Sequence, residues 1–251
     1  MGHTKMIAQL GLVLVGLTIF SGVALADATA PSKTDKSAIE KIVREYLLEN
    51  PEVIDEAIQI LRARRQAEEE NRAKQAISQN GDALRHHPMT PVSGNVDGDV
   101  TVVEFFDYQC GYCKRSLASV LELLGSDKSV RVVWKELPIL GPASRIAARA
   151  AMASKKQDKY LDFHSALMGG RGRLSEGKIM EAAKRVGLNL EKLREDMKDP
   201  AIDAYLDETQ QLANALGIRG TPAFVIGDKL VPGAIDTAGM KRIIAQSRAG
   251  G

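Results

Sequence analysis

Cys110 and Cys113 are the only two cysteines in this chain of 251 residues, and they follow closely on the apolar run Val100 to Phe106. Such a run reads as a central strand buried on both faces. Helical periodicity resumes at once, with Leu117, Val120, Leu121 and Leu124 on one face. The pair therefore stands where a strand hands over to a helix N-terminus. Free amides and the positive end of the helix dipole favour thiolate over thiol at that point. Cys110 is the candidate nucleophile and Cys113, one turn inside the helix, the resolving thiol. A purely structural bridge is the bland alternative, but so short a loop would constrain little of the unfolded chain.

Composition narrows the remaining choices. With 44% hydrophobic residues the chain can bury one domain core plus an accessory element. Basic and acidic residues nearly balance, 34 against 32, and no basic tract is interleaved with aromatics, so nucleic acid is not an expected partner. At 4% aromatic content, a stacking platform for sugars or bases is not expected either. Two cysteines cannot complete a four-ligand zinc site without help. His86 and His87 lie in a polar stretch and read as solvated, so no metal site and no cofactor are expected.

Residues 1–26 read as a cleavable export signal: Lys5 before an apolar core from Leu10 to Phe20, then Ala24-Leu25-Ala26. The expected location is the periplasm, with no membrane association after cleavage. Residues 27–90 form the next segment, a helical stalk and linker. Ile39, Ile42, Val43, Tyr46 and Leu47 make one apolar stripe; Val53, Ile54, Ala57, Ile58 and Leu61 make a second. Asn50-Pro51 separates them, with Asn as N-cap and Pro at the first helical position. A segment of this size has no core of its own, and its charged continuation looks like an exposed rod. The expectation is self-association through residues 32–80; the bland alternative is packing in cis, since surface helices normally cover their own core. Gly81 to Gly98 reads as linker and turn, with a short edge strand near Met89 to Val92.

The domain proper is expected over 91–251. Val130 to Trp134 reads as a second strand with Trp134 in the core, and residues 142–207 as a helical insertion. Ala223–Ile226 and Lys229–Val231 flank Gly227-Asp228 as a hairpin, and a last helix runs from Thr237 to Ser247. His164, inside the insertion, reads as a packed core or cap residue with no visible partner.

Three stretches carry a family resemblance: Glu104-Phe105-Phe106-Asp107-Tyr108-Gln109-Cys110-Gly111-Tyr112-Cys113, Leu137-Pro138-Ile139-Leu140-Gly141-Pro142, and Gly217-Ile218-Arg219-Gly220-Thr221-Pro222-Ala223-Phe224. Together they resemble the DsbA-like thioredoxin-fold oxidoreductases. The stalk is similar to that of the suppressor of copper sensitivity protein C group, whose members oligomerise through an N-terminal extension and act as disulfide isomerases. The resemblance implies an α/β thioredoxin fold with an inserted helical domain behind an N-terminal stalk. It implies a homo-oligomer, by analogy a trimer, acting on thiols and disulfides of periplasmic proteins and served by a membrane redox partner of unknown identity. Glu104 is an acid inside an apolar strand run, where burial should raise its pKa unless the strand is an edge and the side chain faces solvent. It matches the family's buried acid, which manages the resolving thiol's proton. Thr221-Pro222 matches the cis-proline loop, which together with Gly111 and Tyr112 would meet the substrate. Strongly oxidising members carry a histidine between the cysteines. Gly111-Tyr112 has none and, like Thr221, resembles the isomerases, so an intermediate potential is expected.

Two rivals remain: a monomeric dithiol oxidase, and a copper-handling or thiol-protecting protein holding Cu(I) on its two soft sulfurs. The second would ordinarily show Met or His beside the cysteines, and none stands there.

Overall fold

The computed structural model describes residues 33–250, so the export-signal reading of residues 1–26 lies outside the described residues. Among those described, no helix is long and apolar enough to cross a membrane. The chain divides into two compact units, one ending at Ile58 and one beginning at Gln59.

Helix α1 spans Lys33–Glu49 and α2 begins at Glu52, reaching Gln79. Lys36–Glu40 and Lys41–Glu45 pair at helical spacing along α1 (both 3.8 Å). The two apolar stripes form as the periodicity requires, but in the single chain they stay open. Ile42 is 65% exposed and Tyr46 54%. Asn50 does not act as the N-cap that its place before Pro51 suggests. Its side-chain amide donates backwards to the Tyr46 carbonyl (2.9 Å), where the backbone N–H of Asn50 also points (2.8 Å), so it closes α1.

In the second unit, α3 (Gly81–Arg85) occupies part of the stretch read as linker. Its Leu84 is fully buried, which gives five residues of weak intrinsic helicity a reason to fold. Then come β1 (Val92–Gly94), β2 (Val100–Phe106), α4 (Gly111–Ser126) and β3 (Val130–Glu136). The insertion contributes α5 (Pro142–Ser154), α6 (Tyr160–Met168), α7 (Glu176–Arg185) and α8 (Leu190–Asp196), and α9 (Pro200–Ala215) leads back to the sheet. Strands β4 (Ala223–Ile226) and β5 (Lys229–Pro232) and helix α10 (Thr237–Gly250) complete the fold. Gly227, at φ +61°, makes the tight β4–β5 turn.

The sheet has the order β1-β3-β2-β4-β5; β2 and β3 are parallel, joined by α4, and the other pairs are antiparallel. Strand alternation sorts its residues onto two faces. Val102 and Phe106 of β2 join Trp134 of β3, Cys113 and Leu117 of α4, and the insertion helices in one cluster. Val103, Phe105 and Val133 join Ile77, Leu84, Leu212 and Leu216 in the other. By the same alternation Glu104 and Glu136 face the first cluster, the side on which the cysteines lie.

Candidate active site

Cys110 is the N-cap of α4, with extended backbone (φ −73°, ψ 114°), so its sulfur sits at the helix N-terminus. Both cysteines are free. Cys113 is wholly buried, whereas Cys110 retains 7% exposure. Cys110 lies beneath the loop carrying the Thr221-Pro222 bond, which is cis. The Cys110 thiol donates to the Thr221 carbonyl at 3.1 Å.

The two thiols differ in acidity. Burial pushes the Cys110 thiol up, but hydrogen bonds outweigh it and the net direction is down. They come from the Thr221 side chain, from the Cys113 amide and thiol, and from the Tyr112 amide. The thiol itself makes no capping hydrogen bond, so these donors act on the thiolate as it forms. Burial drives Cys113 well above the usual thiol range, and its bond to Cys110 raises it further. The shared Cys113–Cys110 hydrogen bond thus lowers one thiol and raises the other.

Glu104 lies in register between Trp134 of β3 and Phe224 of β4, the two strands flanking β2. It is 2% exposed and its Oε2 finds no partner among the described residues. Burial first, then the nearby Cys110 charge, push its carboxyl up to about 8. Tyr112 is 61% exposed, with the Arg115 guanidinium 4.2 Å above its ring. Gly111 begins the helix beside it and is also exposed. Cys110, Cys113, Glu104 and Thr221 therefore converge, with Gly111, Tyr112 and Pro222 around them.

A supporting layer was not foreseen from sequence. The Asp107 carboxylate accepts from the Gln109 amide (2.7 Å), the Leu140 amide (2.9 Å) and the Ser144 hydroxyl (2.7 Å). It pins the loop before Cys110 to the Leu137–Pro142 stretch. Beneath it, Glu136 Oε1 accepts from both Tyr108 and Tyr160 hydroxyls, each at 2.9 Å. With the Tyr108 hydrogen committed to Glu136, His164 Nδ1 donates to the phenol oxygen (3.1 Å). His164 is a core residue with a partner after all, and burial lowers it to about 3, so it is neutral. Burial likewise holds Glu136 well above the usual carboxyl range. The signal for this layer was faint: an Asp two residues before Gln109 reads as an Asx turn, but no spacing links Tyr108, Glu136, Tyr160 and His164.

Residues 101–245 match the DSBA-like thioredoxin domain. The chain belongs to that family. Residues 35–68 match the copper resistance protein ScsC N-terminal domain. A thioredoxin-like oxidoreductase from Silicibacter pomeroyi DSS-3 is 46% identical, covering 67% of this chain and 97% of its own, with a TM-score of 0.66. ScsC of Proteus mirabilis, in a transitional conformation, is 30% identical over 88% of this chain and 100% of its own, also at a TM-score of 0.66. Among curated relatives, the Na(+)/H(+) antiporter NhaA 1 of Salinispora arenicola is 29% identical over 63% of this chain. This chain spans only 25% of that protein's length.

Proposed function

We propose that the chain is a periplasmic thiol–disulfide oxidoreductase whose main task is to shuffle disulfides in exported proteins. The observation that carries this reading is the paired asymmetry at the site. Cys110, at a helix N-terminus and against the cis-proline loop, has a lowered pKa, while Cys113 is sealed and raised. In this reading the Cys110 thiolate attacks one sulfur of a client disulfide and the other client sulfur leaves as thiolate. If that thiolate attacks a different client disulfide, and the chain of exchanges ends on the sulfur held by Cys110, Cys110 is released and no net redox change occurs. If Cys113 attacks instead, the client is reduced by two electrons and the Cys110–Cys113 disulfide forms, which a membrane redox partner must then reduce.

Glu104 is assigned the proton of Cys113: a carboxyl poised near 8 in the same buried space can, in its ionised form, accept it as the resolving thiolate forms. Gly111, Tyr112, Thr221 and Pro222 are assigned to client contact. The Thr221 carbonyl, free to pair with an extended chain once Cys110 is engaged, supports main-chain recognition. Preference for shuffling over oxidation rests on Gly111-Tyr112, which places no cationic histidine beside the thiolate. It rests also on the open apolar stripes of α1 and α2, which support assembly of several active sites in one homo-oligomer, a trimer by analogy with the stalk's family.

Refolding of scrambled ribonuclease by the full chain tests this. Recovery of activity that disappears in Cys110→Ser is the expected result. Oxidation of reduced ribonuclease without rescue of the scrambled form would replace this reading with the dithiol oxidase.

A further inference from the structure

A cavity of about 330 Å³ opens alongside α4, lined by Lys114, by Arg171 in the loop between α6 and α7, and by Lys178, Glu181 and Arg185 of α7. This is at the lower end of the small-ligand range of about 300–1,000 Å³, with room for one or two side chains rather than a folded partner. Leu167 and Ala182, both buried, add apolar lining. Four cations thus share the cavity with one carboxylate. None of the four takes part in the side-chain ion pairs found among the described residues. The Lys114 ammonium donates to the Gly170 carbonyl (2.6 Å) and the Lys178 ammonium to the Arg171 carbonyl (3.2 Å), both neutral acceptors. Burial first, and then the positive charge of Lys178, lowers Lys114. The cavity therefore carries an excess of positive charge over its one carboxylate, which a further anion would relieve.

Its place relative to the cysteines gives that charge a use. Lys114 lies four residues after Cys110, and its amide bonds to the Cys110 carbonyl (3.1 Å), so it stands one helical turn from the nucleophile. We propose that the cavity receives a carboxylate carried by the molecule disulfide-linked to Cys110, so that exchange favours acidic partners. This rests on the reading of Cys110 as nucleophile. The carboxylate has two sources of the same chemistry: an Asp or Glu side chain of a client protein, or a small carboxylated disulfide such as glutathione disulfide.

The test measures reaction rates of the full-length reduced protein with two disulfide peptides that differ only by Glu against Gln at positions flanking the cysteine. A parallel pair is glutathione disulfide against its carboxyl ester. An advantage on the order of 10-fold for the acidic member, falling in 0.5 M salt, is expected in one pair or both. The pair that shows it names the source. Lys178→Glu combined with Arg185→Glu should abolish or invert the advantage, while Lys184→Glu, on the same helix but outside the cavity, should keep it. Equal rates in both pairs, or the same loss in Lys184→Glu, would overturn the inference. If the neutral peptide reacts and acid gives no advantage, only this inference fails. If neither peptide reacts, the nucleophile assignment fails and takes this one with it.

Discussion

Glu104 is a carboxyl group in a place that has no room for its charge. Unfolded, it ionises near 4.5; folded, near 8. The folded state therefore binds the extra proton between those values, and stability falls as pH rises through that window. Replacing it by Gln should leave urea stability almost unchanged at pH 4.5 and raise it at pH 8.5, by at most about 4–5 kcal/mol. No pH-dependent difference between the two proteins would show that Glu104 is not a buried acid. The same variant should slow release of a mixed disulfide by roughly 10²-fold, the low end for a positioned proton acceptor, as followed by quenched-flow trapping; an unchanged rate removes the role. Glu136 makes a different kind of demand. It is an acceptor for two phenols, so Glu136→Ala strands both hydroxyls in the core and should cost roughly 2–5 kcal/mol. Glu136→Gln keeps an oxygen there and should cost clearly less, by thermal or urea unfolding. A small, equal cost for both would mean that the network contributes little. The cysteines and Glu104 were legible because their type was wrong for their surroundings: the only two thiols in the chain, and an acid in an apolar run. Tyr108 and Tyr160 were not, because aromatic residues near a core strand are ordinary and their hydroxyl partner is set only by tertiary packing.

Elements with strong periodicity could be read directly. The β2 run, the face of α4 and the hairpin around Gly227 formed where pattern and turn chemistry put them. Helix α3 escaped because it is five residues long and is held by burial of Leu84, a cause that no local window contains. Asn50 shows the complementary error: its residue type marks a helix end correctly but does not say which helix it serves. The open stripe of α1 supports the assembly assigned to it. Ile42→Glu with Tyr46→Glu places two charges on that stripe, and light scattering should show the particle fall to a single chain. A wild-type protein that is already a single chain at micromolar concentration would remove the stalk's proposed purpose.

Taken as a whole, the molecule joins a sheet that sets two thiols at unequal depth to a helical segment with apolar surface to share. Family membership was readable from three separated stretches because all three meet around Cys110: the strand and helix bearing it, the loop held by Asp107, and the loop that covers it. The insertion's cationic cavity was less legible, since its charges come from α4, α7 and the loop before α7 and converge only on folding. Exchange at this site depends on unequal reactivity of the two sulfurs. The most direct measurement is alkylation of the intact, reduced protein by iodoacetamide across pH 4 to 10, with the modified cysteine located by mass spectrometry. A single adduct at Cys110, its rate half-maximal below the ordinary thiol value of about 8.5, is the expected result. Labelling at Cys113 first, or a Cys110 rate that rises only above that value, would contradict it.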